Sequence, residues 1–333
     1  MTARHRPSVR ASMHRLREAF DDGPFHASQA EQVAVSRQQL EHAARAELVT
    51  RLGKGWYALA GETQPPFGFP VAQAQRLMAL AHGNAAAVAC GVSAAHIWQL
   101  PIPPAHQGRR DRLEIAYRDG HGGKRGERFG AIARRWVLPD DHVTTGPRGE
   151  PVTTPLRTAI DLARGQPLPF ALISLDAALR MTVMGGESPE DARARLKVIW
   201  EALRRGHGIR AVGLALPFVD ERAESALESI VRGRILEAGL PRPYVQVPVI
   251  GASGKQYRAD LGLDLPGDPR GSSRLLIEAD GRLKYGAVDD VLSEKDRQTD
   301  LERRGYRFAR TDYREMLQRP EVFTGYLRSL LGA

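Results

Sequence analysis

Tyr257-Arg258-Ala259-Asp260-Leu261-Gly262-Leu263-Asp264, followed after a loop by Leu275-Leu276-Ile277-Glu278-Ala279-Asp280-Gly281, is the stretch that decides the fold of the C-terminal part. Leu275 to Glu278 is a continuous apolar run, as expected of a strand buried on both faces. In the earlier run Arg258, Asp260, Gly262 and Asp264 share one strand face and Ala259 and Leu261 the other, because successive side chains alternate. An Asp turned toward a neighbouring strand's terminal Glu concentrates negative charge that a cation would relieve. Mg2+ is the natural candidate, since it takes hard oxygen ligands and bridges to phosphodiester oxygens.

Upstream of this stretch the pattern predicts a helix over 223–238, a stop at Gly239-Leu240-Pro241, a strand over 245–250 and a turn at Gly251-Ala252-Ser253-Gly254. Downstream it predicts a charged helix over 289–304, a stop at Gly305, a strand over 306–310 and a last helix to Leu331. The order is helix, three strands, helix, strand, helix. In the charged helix Lys295, Arg297, Arg303 and Arg304 interleave with Glu294, Asp296, Asp300 and Glu302, which reads as a solvated face.

Ser225-Ala226-Leu227-Glu228, Tyr257-Arg258-Ala259-Asp260, Ile277-Glu278-Ala279-Asp280-Gly281 and the Glu294-Lys295-Asp296-Arg297 helix with its following strand resemble the endonuclease-like domain related to very-short-patch-repair enzymes, within the PD-(D/E)XK nuclease superfamily. The resemblance covers about residues 221 to 333. It implies Asp260, Glu278 and Asp280 as metal ligands and Glu228 as a helix-borne acid that positions metal or water. Two residues after Glu278, where the superfamily usually has Lys, this chain has Asp280. Lys284 would then supply the missing positive charge from a loop, completing a catalytic set of Glu228, Asp260, Glu278 and Lys284. In the competing reading Glu278-Ala279-Asp280-Gly281 only ends a strand, its acids solvated or paired to Arg258 or Arg282.

At the N-terminus, Val9, Met13, Leu16 and Phe20 lie on one helical face. Asp21-Asp22-Gly23-Pro24 breaks that helix; a short second helix over 28–33 and a third, N-capped by Ser36 and running to Ala46, follow. Strands over 48–52 and 56–59, closed by Gly53-Lys54-Gly55, complete a winged helix-turn-helix pattern. The recognition helix of such a domain enters the major groove. Ser36, Arg37, Gln38, Gln39, His42 and Arg45 are therefore the candidate base-reading residues, and Arg and Gln can read base edges by paired hydrogen bonds. Arg51 and Lys54 at the wing, with Arg4, Arg6 and Arg10 in the arm, suit phosphate contacts.

A Pro- and Gly-rich linker over 61–70 leads to a middle region predicted helical over 71–98 and around 94–100, with strands at 113–117 and 136–138 and helices at 156–163 and 170–179. No chemical cluster is recognisable there. Val152-Thr153-Thr154-Pro155-Leu156-Arg157-Thr158-Ala159-Ile160-Asp161-Leu162-Ala163, together with the helix-turn-helix, resembles the AbiEi-type antitoxin family of type IV toxin-antitoxin systems, which implies a DNA-binding autorepressor and a cognate toxin. The residues alone give a plainer reading: Thr154-Pro155 starts a helix and Arg157 pairs with Asp161 one turn later.

The expected fold class is α+β: a winged helix over 1–62, an α/β middle region over 63–215 and a restriction-endonuclease-like αβββαβ domain over 216–333. A formal net charge of +9 over 333 residues is compatible with double-stranded DNA as partner, although an Arg- and Ala-rich coding bias would produce the same charge. One cysteine, Cys90, leaves no internal disulfide and no thiolate zinc finger. No signal-peptide core and no membrane span is evident, which predicts a cytoplasmic protein without a membrane partner. Three functions stay open: a DNA-binding regulator whose nuclease-like domain is degenerate and needs no cofactor, a Mg-dependent DNA endonuclease guided by the N-terminal reader, and a protein-binding scaffold.

Overall fold

The computed structural model describes residues 6–20, 24–53, 55–60, 77, 87–109, 112–118, 131–147, 149–265, 274–280 and 288–332. They form two compact units: residues 1–100 with 105–161, and residues 101–104 with 162–333. The helices over 168–215, which the sequence reading groups with the middle region, thus pack with the C-terminal unit.

The first unit opens with α1 (Arg6–Phe20), β1 (Phe25–His26), α2 (Ala27–Gln32), α3 (Arg37–Arg45), β2 (Val49–Gly53) and β3 (Trp56–Leu59). The three strands form an antiparallel sheet of order β1-β3-β2. Met13 and Leu16 of α1, Leu40 and Ala43 of α3, and Phe25, Val49 and Tyr57 of the sheet fill one apolar core. The i, i+3 pairs Met13 and Leu16, and Leu40 and Ala43, place these side chains inward. Ser36 caps α3 through a reciprocal capping box with Gln39. Both helices of the 28–46 segment lie within a residue or so of their predicted bounds; the two-residue β1 was not foreseen.

Next come β4 (Ala87–Ala89), α4 (Gly91–Trp98), β5 (Glu114–Tyr117), β6 (Ile132–Arg134), β7 (Val143–Thr145), β8 (Pro151–Thr153) and α5 (Pro155–Ala163). The sheet runs β6-β5-β4-β8-β7. Ala87-Val88-Ala89, expected as part of a helix, is instead its central strand. Ala87 and Ala89 bury into one core with Ile115 and Val152, and Val88 into another with Ala116 and Leu138. Burial on both faces overrides alanine's helix preference. The strand expected at 136–138 is displaced to Ile132–Arg134, which pairs with β5. Gly91 enters α4 at φ +54, and a Cβ there would collide with the Glu114 carboxylate. Glycine is required at that approach.

The second unit contains α6 (Leu168–Met184), α7 (Pro189–Leu203), α8 (Ile209–Ala215), α9 (Ala226–Glu237), β9 (Tyr244–Ile250), β10 (Gln256–Asp264), β11 (Arg274–Ala279), α10 (Val288–Arg303), β12 (Arg307–Thr311), α11 (Tyr313–Gln318) and α12 (Pro320–Leu331). Its sheet has the order β12-β11-β10-β9; β9, β10 and β11 pair antiparallel and β11 pairs parallel with β12 across the α10 crossover. Leu261, Leu263, Leu275 and Ile277 pack on one face against Leu227 and Ile230 of α9, Ile173 of α6 and Phe323 of α12. Leu276, Val247, Val249 and Ala259 pack on the other with Leu301 of α10, so Ala259 and Leu261, expected on one face of β10, lie in cores on opposite faces of the sheet. The predicted single last helix is two, divided at Arg319, because Pro320 lacks the N–H that would continue α11.

A buried polar knot ties α6 to α9. Asp176 accepts from Arg232 at 2.5 Å, from the Ser229 hydroxyl at 2.7 Å and from the Asp220 amide at 2.9 Å, and Arg232 also donates to the Phe218 carbonyl. Close contact of the helices makes this reach possible: a Cβ on Gly233 would lie 2.3 Å from Pro169 Cα. Among the described residues no helix is long and apolar enough to cross a membrane.

Candidate functional site

On α3, the short helix between two caps, Leu40 and Ala43 face the core while Arg37, Gln38, Glu41, His42 and Arg45 are exposed. Ser36 and Gln39 were expected among the base readers, but both are committed to the capping box. The Ser36 Oγ accepts from the Gln39 amide at 3.3 Å, and the Ser36 amide donates to Gln39 Oε1 at 2.8 Å. Arg37 is held beside Glu31 at 3.3 Å, an exposed and therefore weak surface pair. Arg51 is exposed on β2. Lys54 lies outside the described residues, as does Lys284.

In the second unit each of the expected acids has an internal partner. Ser225 caps α9 by accepting from the Glu228 amide at 3.1 Å, and Glu228 folds back, its Oε2 accepting from the Glu224 amide at 3.0 Å and from Gln246 Nε2 at 2.8 Å. Asp260 Oδ2 accepts from the Ala279 amide at 2.9 Å. Glu278, only 8% exposed, accepts from Arg297 at 2.7 Å, and Arg297 also donates to the Arg258 carbonyl at 2.9 Å. Asp280 has Arg310 at 4.0 Å. Arg258, one of the partners expected for the acids of 278–281, pairs instead with Glu224 at 2.8 Å.

Burial pushes the Glu228 carboxyl above its ordinary range, and the charge of Asp260 adds to the effect. Burial likewise raises Asp260, reinforced by Asp280 and Glu224 and opposed by the Ala279 amide and by Arg297. The two carboxyls therefore repel within a shared, partly desolvated site. A divalent ion nonetheless finds no cage: among the described residues no three His, Cys, Asp or Glu side chains are grouped to hold a metal. Asp260 Oδ2 faces the Ala279 amide and Glu278 Oε1 the Arg297 guanidinium, so the residues as placed do not fit the expected Asp260, Glu278 and Asp280 ligand set.

Arg297 is the site residue that sequence reasoning set aside. It was assigned to a solvated face, yet it is only 20% exposed and spans Glu278 and Arg258. Its spacing from Leu301, four residues on and fully buried, is the signal that marked its helical face as inward. Gln246 was also missed. It lies at φ +52 within β9, between the registered pairs Ala259↔Val247 and Leu261↔Val245, an uncommon backbone for a non-glycine residue.

The middle region, in which no chemical cluster was recognised, does assemble a buried polar group in the first unit. Arg157 and Asp161 pair at 2.8 Å, and Arg157 also meets His142 Nδ1 at 2.8 Å and the Val137 carbonyl at 3.0 Å. Glu114, 2% exposed, accepts from the Val92 amide at 3.2 Å and from Arg134 at 2.5 Å. Between these pairs lies Cys90, whose thiol is held well above its usual range chiefly by burial and by Asp161 and Glu114. Full burial shields this thiol from solvent. The helix expected at 156–163 and the Arg157–Asp161 pair are both present, in the structural role the residues indicated.

Residues 57–199 match the family profile described as the AbiEi antitoxin C-terminal domain. Two relatives from Mycobacterium tuberculosis, the uncharacterized proteins MT2308 (strain CDC 1551 / Oshkosh) and Rv2248 (strain ATCC 25618 / H37Rv), are each 34% identical over 158 residues. Each match covers 47% of this chain and 53% of the relative, so the chain spans about half the length of the curated relatives it matches.

Proposed function

We propose that the chain is a double-stranded-DNA-binding regulator of the antitoxin kind, in which residues 1–62 act as a winged helix-turn-helix reader, the middle region engages a cognate toxin, and the C-terminal unit is a nuclease-like fold used as a contact module. The observation that carries this reading is α3: a capped helix whose outer face offers Arg37, Gln38, His42 and Arg45 together. Arg and Gln are the side chains suited to guanine and adenine edges in the major groove. The match of residues 57–199 to an antitoxin domain supports the regulatory role and the toxin partner. The net charge of +9 favours encounter with a polyanion.

The test is a gel-shift series with DNA from upstream of the chain's own coding sequence, run across a range of salt. Phosphate neutralisation lowers the logarithm of the affinity linearly with the logarithm of salt, by a slope of about 0.9 per phosphate contact. Sequence-selective binding with that salt response is expected. Equal affinity for operator and scrambled DNA, or no binding at low salt, overturns the reading and leaves the scaffold function in its place. Mg-dependent endonuclease activity is the second reading; it would require Arg297 to leave Glu278, because no three acids among the described residues are grouped to hold an ion. Cleavage of supercoiled DNA with Mg2+ or Mn2+, abolished by Asp260→Ala, would establish it.

A further inference from the structure

We infer that Arg297 is a built-in counter-cation for the acidic end of the second unit's sheet, occupying by its guanidinium the place a divalent ion would need and making the site metal-independent. The argument begins with α10, which crosses from β11 back to β12 and lays Leu301 into the core under Leu276 and Val247. One turn earlier on the same helix, Arg297 is therefore brought over the ends of β10 and β11. There its Nη2 donates to Glu278 Oε1 at 2.7 Å and to the Arg258 carbonyl at 2.9 Å, so both the strand that carries Glu278 and the strand that carries Asp260 are bound to it.

The remaining acids are also engaged in ways that a metal would have to undo. The Asp260 oxygen that accepts from the Ala279 amide clips the end of β11 to β10, and the Glu228 oxygen that accepts from Gln246 and Glu224 closes the N-terminus of α9. Binding a divalent ion would require the guanidinium to leave and several buried acceptors to be released from their donors. A planar guanidinium matches a carboxylate and a carbonyl at once, carries its charge at every accessible pH and is itself weakly hydrated, so it satisfies partly buried acids without an exchangeable ligand. The inference stands apart from the DNA reading by α3, and its failure would leave that reading untouched.

Mn2+ is the probe, titrated into the full chain and followed by electron paramagnetic resonance, with wild type, Arg297→Met, Arg297→Lys, Asp260→Asn and the Arg297→Met/Asp260→Asn double variant. The expected result is that wild type and Asp260→Asn bind Mn2+ equally weakly. Arg297→Met should gain affinity on the order of ten-fold or more, and the double variant should lose the gain. Arg297→Lys, which keeps a cation on the same helix, should stay near wild type. Binding by wild type that Asp260→Asn abolishes overturns the inference, as does a folded Arg297→Met that binds no better than wild type. Should circular dichroism show Arg297→Met unfolded, thermal unfolding of wild type and Asp260→Asn decides. Curves unmoved by Mn2+ in both proteins support the inference, and a Mn2+-dependent rise in wild type alone overturns it.

Discussion

Arg157 Nε donates to Asp161 Oδ2 at 2.8 Å across one turn of α5, and neither side chain has any exposure to solvent. Removing one member of such a pair leaves an uncompensated buried charge. Arg157→Ala is expected to destabilise the first unit by about 3–5 kcal/mol, whereas an apolar replacement of both residues should recover much of that loss. Chemical denaturation of the single and double variants measures the difference. A single variant as stable as wild type would mean that the pair does not anchor α5.

The same cluster predicts a pH response. Burial holds the His142 imidazole below its ordinary value of 6.5, and the Arg157 charge beside it acts in the same direction. The folded state thus keeps His142 neutral where the unfolded chain takes up a proton. Its contribution to stability is full above about 6.5 and declines as pH falls below that value toward the depressed folded value. Unfolding curves from about pH 8 down to about pH 5 should show this loss, and a His142→Gln variant should show a flatter profile.

Asp260 and Glu228 of the second unit titrate in the opposite sense. Asp260 is raised above 3.8 in the folded chain, so the folded state holds its proton more tightly than the unfolded state does. Its contribution to stability is most favourable at low pH and is lost as pH climbs from 3.8 through the raised value. Asp260→Asn keeps an oxygen for the Ala279 amide and removes the charge. It is expected to raise the melting temperature at neutral pH and to lose that advantage in acid. A melting temperature lowered at every pH would show that the carboxylate stabilises the folded state.

On α3 the capping residues and the exposed residues should separate experimentally. Gln38→Ala and Arg45→Ala are expected to weaken operator binding by about 1–3 kcal/mol if they meet base edges, with little effect on melting. Ser36→Ala should instead cost about 1 kcal/mol of stability through the lost cap and leave the preferred base sequence unchanged. Selection of binding sites from random DNA distinguishes the two classes. A change in base preference in Ser36→Ala would return the hydroxyl to the recognition surface.

Periodic segments with explicit punctuation were the legible ones. Ser36 before α3 and Gly239-Leu240-Pro241 after α9 each carry a local reason for the element found there. β4 was not legible, because Ala-Val-Ala satisfies a helix or a doubly buried strand equally well and only its neighbours β5 and β8 decide. α7 was passed over although Ser188-Pro189-Glu190-Asp191 is a strong helix start. For the candidate sites, the strands that carry Asp260 and Glu278 could be read from the residues and Glu228 came from the resemblance, whereas the hydrogen bonds these acids make could not be read.

The sequence by itself determined the strand that presents Asp260, the strand that ends in Glu278, the helix that carries Glu228 and the capped helix α3, because each follows from contacts within a few residues. Only the tertiary structure decided which charge meets which. Arg297 reaches Glu278 across nineteen positions of chain, Arg232 meets Asp176 fifty-six positions away, and Gln246 meets Glu228 across eighteen. Each of these partners is chosen by how helices pack on a sheet, a matter of distances between elements that spacing along one element does not contain.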